Sequence, residues 1–196
     1  MTAHYLLSLI LIFSIGGCLP RQAKFSPVGA EEQLPTDQIW AEWPSEWMTF
    51  RPAEYDKDAN KEGTLLLLSK DGFSLQTITL TKRPLGNDFK HTQKKLTPGM
   101  LPQEAAEIVL DNVKATPQVV DLQIIENGPA IVAGAPGFKL TYTYREKSGL
   151  TRQATLYGTL DRDMLVTLSY DAVKRHYFQK DLATFEKAKD SLRWKS

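Results

Sequence analysis

Between Thr64 and Tyr170 much of the chain alternates apolar and polar residues with a period of two, as strands do when one face meets a core. Thr64 to Ser69 is an apolar run, Lys70-Asp71-Gly72 carries a turn signal, and Phe73 to Lys82 is a second run, so the stretch reads as a hairpin. In the second run Phe73, Leu75, Thr77, Thr79 and Thr81 share one side, and Ser74, Gln76, Ile78, Leu80 and Lys82 the other. Threonines mixed with Ile and Leu predict a sheet with one face mostly covered. Further strands are predicted at Trp47–Arg51, Val119–Glu126, Ala130–Ala133, Phe138–Arg145, Thr151–Leu160 and Met164–Tyr170. Turn signals fall at Asn127-Gly128, Gly134-Ala135-Pro136-Gly137, Ser148-Gly149 and Asp161-Arg162-Asp163. Phe138, Leu140, Tyr142 and Tyr144 face one way and Lys139, Thr141, Thr143 and Arg145 the other, the pattern of an antiparallel strand half exposed to water.

Two segments have the longer helical period. Pro102 to Lys114 places Ala105, Ile108, Val109 and Val113 on one stripe, with Pro102, Glu104 and Glu107 suiting its N-terminal end. Leu182 to Arg193 lines up Leu182, Phe185, Ala188 and Leu192, with Asp181 as the expected cap. The order β-β-α-β-β-β-β-α predicts an α+β fold: an antiparallel sheet of about six to seven strands with two main helices packed on it, in one domain over residues 38–196.

The N-terminus reads differently. An apolar core from Tyr5 to Ile15 is followed by Gly16, Gly17 and Cys18, the sole cysteine. Eleven apolar residues are too few for a spanning helix, which needs about 20, and fit a secretory leader. Small residues before a cysteine match a lipobox. Residues 1–17 then form a lipoprotein signal peptide cut between Gly17 and Cys18, with a diacylglyceryl anchor and palmitate on Cys18. Residues 18–37, with Pro20, Pro27, Gly29 and Pro35, read as a flexible tether reaching roughly 25 Å. The expected location is the bacterial cell envelope, exported and membrane-held. Leu19 after the cysteine suits the outer membrane facing the periplasm if the cell is Gram-negative.

Composition narrows the function. The leader has no Lys, Arg, Asp or Glu, so the mature chain keeps 24 basic and 23 acidic residues, a net charge of +1. That balance argues against a nucleic-acid partner. A lone cysteine excludes an intrachain disulfide and a multi-cysteine zinc site. His91 and His176 lack metal-ligand spacing, and no Gly-x-Ser-x-Gly elbow occurs. Asp56/Asp58, Asp161/Asp163 and Gly134–Gly137 read as turns, and Lys90 to Lys95 as a solvated basic loop. No catalytic residue, metal or cofactor is expected. Trp40, Trp43 and Trp47 form a candidate partner surface, although a strap burying them against the sheet accounts for the same cluster.

Leu96-Thr97-Pro98-Gly99-Met100-Leu101-Pro102-Gln103-Glu104, Gly134 to Tyr144, Tyr157-Gly158-Thr159-Leu160, and Leu168 to Ala172 with Tyr177, Phe185, Glu186 and Ser191 together resemble the PsbP-like α/β/α sandwich superfamily, including its DcrB-like bacterial envelope members. The resemblance spans about Trp47 to Trp194. It implies a central antiparallel sheet between helical layers and an accessory or binding role without catalysis; it carries no active-site residues. The leading expectation is therefore a membrane-anchored, noncatalytic envelope lipoprotein binding a protein partner. A carrier or chaperone for a lipid or small apolar ligand would instead need a closed apolar cavity between sheet and helix. A hydrolase would need His91 or His176 in a cleft beside a carboxylate and a hydroxyl.

Overall fold

The computed structural model describes residues 26–27, 39–50 and 62–194. Its strands are β1 (Ser26–Pro27), β2 (Ile39–Trp40), β3 (Met48–Phe50), β4 (Thr64–Ser69), β5 (Gln76–Pro84), β6 (Val119–Val132), β7 (Ala135–Glu146), β8 (Thr151–Asp161), β9 (Met164–Val173) and β10 (Arg193–Trp194). Helix α1 is Pro102–Lys114 and α2 is Gln179–Ser191. Strands pair in the order β1-β3-β4-β5-β9-β8-β7-β6, all antiparallel, and β10 pairs separately with β2. Seven strands, with the two-residue β1 at one edge, form the expected α+β sandwich. Ser26 and Pro27 belong to the stretch read as tether, yet they pair with Thr49 and Met48.

One connection sets the architecture. After β5 the chain crosses to the far edge, carrying α1 over one face, then returns as a β6–β9 meander that ends beside β5. The α2 helix follows β9 and covers the opposite face. Each face therefore has its own core. Under α2 lie Leu66, Leu68, Ile78, Leu80, Val166, Leu168 and Tyr170, with Phe178, Phe185 and Ala188 packed on them. Tyr170 is the hub of that core: it stacks on Phe178 and Phe185 at 5.5 Å and meets Trp47 edge-on at 6.4 Å. Under α1 lie Phe138, Leu140, Tyr142, Ala154 and Leu156 with Ala105, Ala106, Val109 and Leu110. Leu101 N–H donates to Glu104 Oε2 at 2.8 Å and fixes the start of α1.

Four details differ from the sequence expectations. Asn127-Gly128 is not a turn; both residues stay in β6, opposite Leu140 and Lys139. The 14-residue strand absorbs its irregularity in register shifts between Val120 and Gln123 and between Ile124 and Glu126. The reversal falls instead at Ala133-Gly134, whose φ values of 51° and 80° make a two-residue turn matched to the strand twist. Pro136 and Gly137 therefore belong to β7.

The second helix starts at Gln179, so Asp181 lies inside its first turn and does not cap it. The Asp181 side chain is buried, with one oxygen 3.9 Å from Lys70 Nζ and the other unpartnered among the described residues. Upstream, His176 takes a φ of 79° in the wide turn Lys174–Phe178.

The tryptophan platform is not built. Trp43 and Trp47 are buried at 4% and 1% exposure, because residues 39–50 strap across the α2 face and put these rings into its core. Trp40 is half-buried beneath the Arg193 guanidinium, 3.7 Å from the ring centroid.

Candidate ligand-binding cleft

Helix α1 packs chiefly over β6, β7 and β8. It stops short of β5 and β9, whose residues on this face include Thr79, Thr81, Arg83, Leu165, Thr167 and Ser169. The result is a half-open cleft of about 630 Å³, between that strip and the inner edge of α1. Strand register orders the floor. Thr79, Ser169 and Leu156 form one row, Thr81 and Thr167 the next, and Arg83 and Leu165 the last. The two threonine hydroxyls of the middle row are 2.6 Å apart and bond each other. Val109, Asn112 and Val113 of α1 form one wall, and the loop after β5, through Asp88, Phe89, Lys90 and Gln93, forms another.

That loop is fastened. His91 N–H donates to Asn112 Oδ1 at 3.0 Å, and Lys94 Nζ meets Asp111 Oδ2 at 2.6 Å, so two links tie it to α1. Leu85, Phe89 and Leu96 anchor it in the core.

Arg83 closes one end of the cleft and is 7% exposed. Its Nη2 donates to the carbonyl oxygens of Asn87 at 3.2 Å and Asp88 at 2.9 Å, and its guanidinium lies 3.8 Å over the Phe89 ring. Its Nε has no partner among the described residues. The two nearby carboxylates are engaged elsewhere: Glu62 with Lys90 at 3.3 Å, and Asp88 with Lys95 at 3.4 Å. Burial pushes the Arg83 pKa down, and Glu62 and Asp88 act against it.

Beyond the cleft, on the same sheet face, Asp171 takes a 2.5 Å bond from Arg152 Nε and a 2.7 Å bond from the Tyr144 hydroxyl. Arg152 Nη1 also donates to the Ser74 carbonyl at 2.7 Å. Burial pushes the Asp171 carboxyl up, while Arg152 and Tyr144 pull it back. Every member of this cluster is partnered, and it ties β7, β8 and β9 to the turn that precedes β5.

The residues singled out from sequence are dispersed. The residues lining the cleft do not include either histidine. His91 sits in the loop on the α1 face; His176 is exposed in the turn leading to α2, across the sheet. Asp161 and Asp163 flank Arg162 in the β8–β9 turn, where Arg162 has a φ of 53°. Lys90, Lys94 and Lys95 each have a carboxylate partner. Gly17, Cys18, Asp56 and Asp58 lie outside the described residues. Among the described residues no cluster of His, Cys, Asp or Glu is set to hold a metal ion, and no helix is long and apolar enough to cross a membrane.

Sequence reading missed Arg83, Asn112 and Ser169. One signal was present. The Thr77-Thr79-Thr81 side of β5 carries an arginine two residues later, a polar strip on a strand whose other side is core.

Comparison with solved structures places this architecture. The solution structure of CyanoP, the cyanobacterial PsbP of Synechocystis sp. PCC 6803, matches with a TM-score of 0.56 at 13% identity, covering 93% of this chain and 98% of its own. The fold is PsbP-like. LpqN of Mycobacterium tuberculosis, a protein involved in cell envelope biogenesis, matches with a TM-score of 0.54 at 15% identity, over 88% of this chain and 91% of its own. No protein-family model and no curated protein matches the sequence.

Proposed function

We propose that this protein is a noncatalytic accessory module of the bacterial cell envelope, held at the membrane by acylated Cys18, which binds its ligand in the cleft beside α1. The observation that carries the reading is the cleft itself. Its volume of about 630 Å³ is that of a small-molecule site, and its lining mixes apolar walls with a few hydrogen-bonding groups. Those groups are hydroxyls, amides, three ion-paired side chains (Glu62, Asp88 and Lys90) and one buried guanidinium, a set made for recognition. The imidazole that most often activates a serine or threonine nucleophile is not among the lining residues. The cleft is half open and partly polar, so it fits a ligand with a polar end better than the closed apolar cavity expected of a carrier.

A second reading, docking of a protein partner, is favoured by β6. This edge strand exposes Ile124, Ile125 and Ile131, and its backbone on the side away from β7 pairs with no other strand among the described residues.

The anchor is tested by metabolic labelling with a palmitate analogue and by membrane fractionation. The wild-type chain should be labelled and sediment with membranes, and Cys18→Ser should be unlabelled and soluble. Retention of Cys18→Ser in the membrane fraction would overturn the lipid-anchor reading.

A further inference from the structure

We infer that the cleft ligand is a small amphiphile with an oxyanion head, a carboxylate or phosphate, held at Arg83 with its apolar body lying between Leu156 and α1. The inference rests on the cleft being the binding site, and it adds the chemistry of the ligand.

Three observations converge. The first is charge. Around this end of the cleft four cations, Arg83, Lys90, Lys94 and Lys95, face three carboxylates, Glu62, Asp88 and Asp111. Each lysine takes one carboxylate, and Arg83 is the cation left over among the described residues.

The second is unmet hydrogen bonding. A buried guanidinium is stable when its donors are satisfied, and among the described residues the hydrogen bonds of Arg83 run from Nη2, to two backbone carbonyls. The Nε atom is left without a partner among the described residues. The carbonyls are neutral, and Glu62 and Asp88, which favour the charged form, are each shared with a lysine, so among the described residues no carboxylate is bonded to the Arg83 positive charge. An anionic oxygen at this end would compensate it and offer an acceptor to the remaining donors.

The third is the gradient along the floor. The Arg83 row and the Ser169 row are four residues apart on β5, roughly 13 Å at the rise of a strand. Between them only the Thr81–Thr167 pair is polar, and those hydroxyls already bond each other. Val109, Val113 and Leu156 form the apolar side. Charge at one end and an apolar side of Val109, Val113 and Leu156 describe a short-chain amphiphile better than a free ion or a neutral oil.

The test uses the full mature chain with Cys18→Ser, to remove acyl groups that would compete for an apolar site. Isothermal titration calorimetry at neutral pH measures octanoate, octyl phosphate, octanol and acetate. Octanoate and octyl phosphate should bind at least roughly tenfold tighter than octanol, the difference a charge-assisted hydrogen bond contributes. Acetate should bind far more weakly than either. Arg83→Gln should bring octanoate down to the octanol level without changing octanol binding. If that variant fails to fold, the wild-type comparison stands alone, and Ser169→Trp, which fills the floor of the cleft, should abolish binding of all the octyl probes.

Equal binding of octanoate and octanol would overturn the oxyanion head while leaving the cleft as a binding site. Acetate binding as tight as octanoate would overturn the amphiphile in favour of a free anion. Octyl binding that survives Ser169→Trp, or no binding of any probe, would overturn the inference and the cleft reading together.

Discussion

Gly158→Ala should destabilise this protein, although a glycine-to-alanine change in a strand ordinarily helps. Gly158 lies on β8 directly opposite Phe138 of β7. Its backbone is not left-handed, so alanine is conformationally allowed, and the loss of unfolded-state freedom alone would stabilise by about 0.5–1 kcal/mol. The obstacle is the ring. A Cβ at Gly158 would lie 2.3 Å from Phe138 Cζ and 2.6 and 2.9 Å from its Cε atoms. Phe138 is fully buried in the core it shares with Ala105, Ala106, Val109 and Leu110 of α1, so it has no free volume to retreat into. Overpacking of this kind costs about 1–3 kcal/mol. The net expectation is a loss of about 1–2 kcal/mol in urea denaturation followed by far-UV circular dichroism, with an unchanged m-value. In a Phe138→Leu background the clash disappears, and the same substitution should be neutral or stabilising. Additivity of the two changes to within about 0.5 kcal/mol would refute the argument, because it would mean that ring and glycine do not share one space.

Other outcomes follow from the same cores. Trp47→Ala should cost about 3–5 kcal/mol in the same assay, as a ring buried against Tyr170 and not a surface aromatic. Arg152→Ala should cost about 3 kcal/mol, the low end for a broken buried pair, since a quarter of the Asp171 side chain is solvent-exposed. Burial pushes the ionisation of Tyr142, Tyr144, Tyr157 and Tyr170 upward, and nearby carboxylates add to it. A raised folded-state pKa means that their stabilisation is complete below the ordinary tyrosine pKa of about 10 and is lost as pH rises further. Absorbance titration at 295 nm should therefore show these four silent at about pH 11 until the protein unfolds. Ile125→Lys on the exposed edge strand should leave stability within about 0.5 kcal/mol.

Much of the fold was legible because two local signals agreed with the final topology. The apolar run at Thr64–Ser69 and the period-two run at Phe138–Arg145 mark true strands, and Pro102 to Lys114 is a helix over those same residues. Local signals failed where tertiary pairing overrode them. Asn127-Gly128 has turn chemistry, but Leu140 and Lys139 opposite hold it in the ladder. Asp181 has cap chemistry, but the helix begins one turn earlier and buries it. The tryptophans admitted both a surface and a strap, with the strap favoured, since exposure depends on what crosses the sheet. The cleft was illegible for another reason: Arg83 on β5, Asn112 on α1 and Ser169 on β9 are brought together only by the crossover from β5 to the far edge. Sequence shows a threonine strip, not which part of it a helix leaves bare.

The most direct measurement is site-specific photo-crosslinking in intact cells. A benzoyl-phenylalanine placed at Lys90, on the rim of the cleft, should capture a ligand or partner from the envelope, and Ser169→Trp in the same chain should abolish the capture. The same probe at Ile131 on the β6 edge should capture nothing that depends on Ser169. Capture at Ile131 with none at Lys90 would contradict the assignment of the cleft as the binding site.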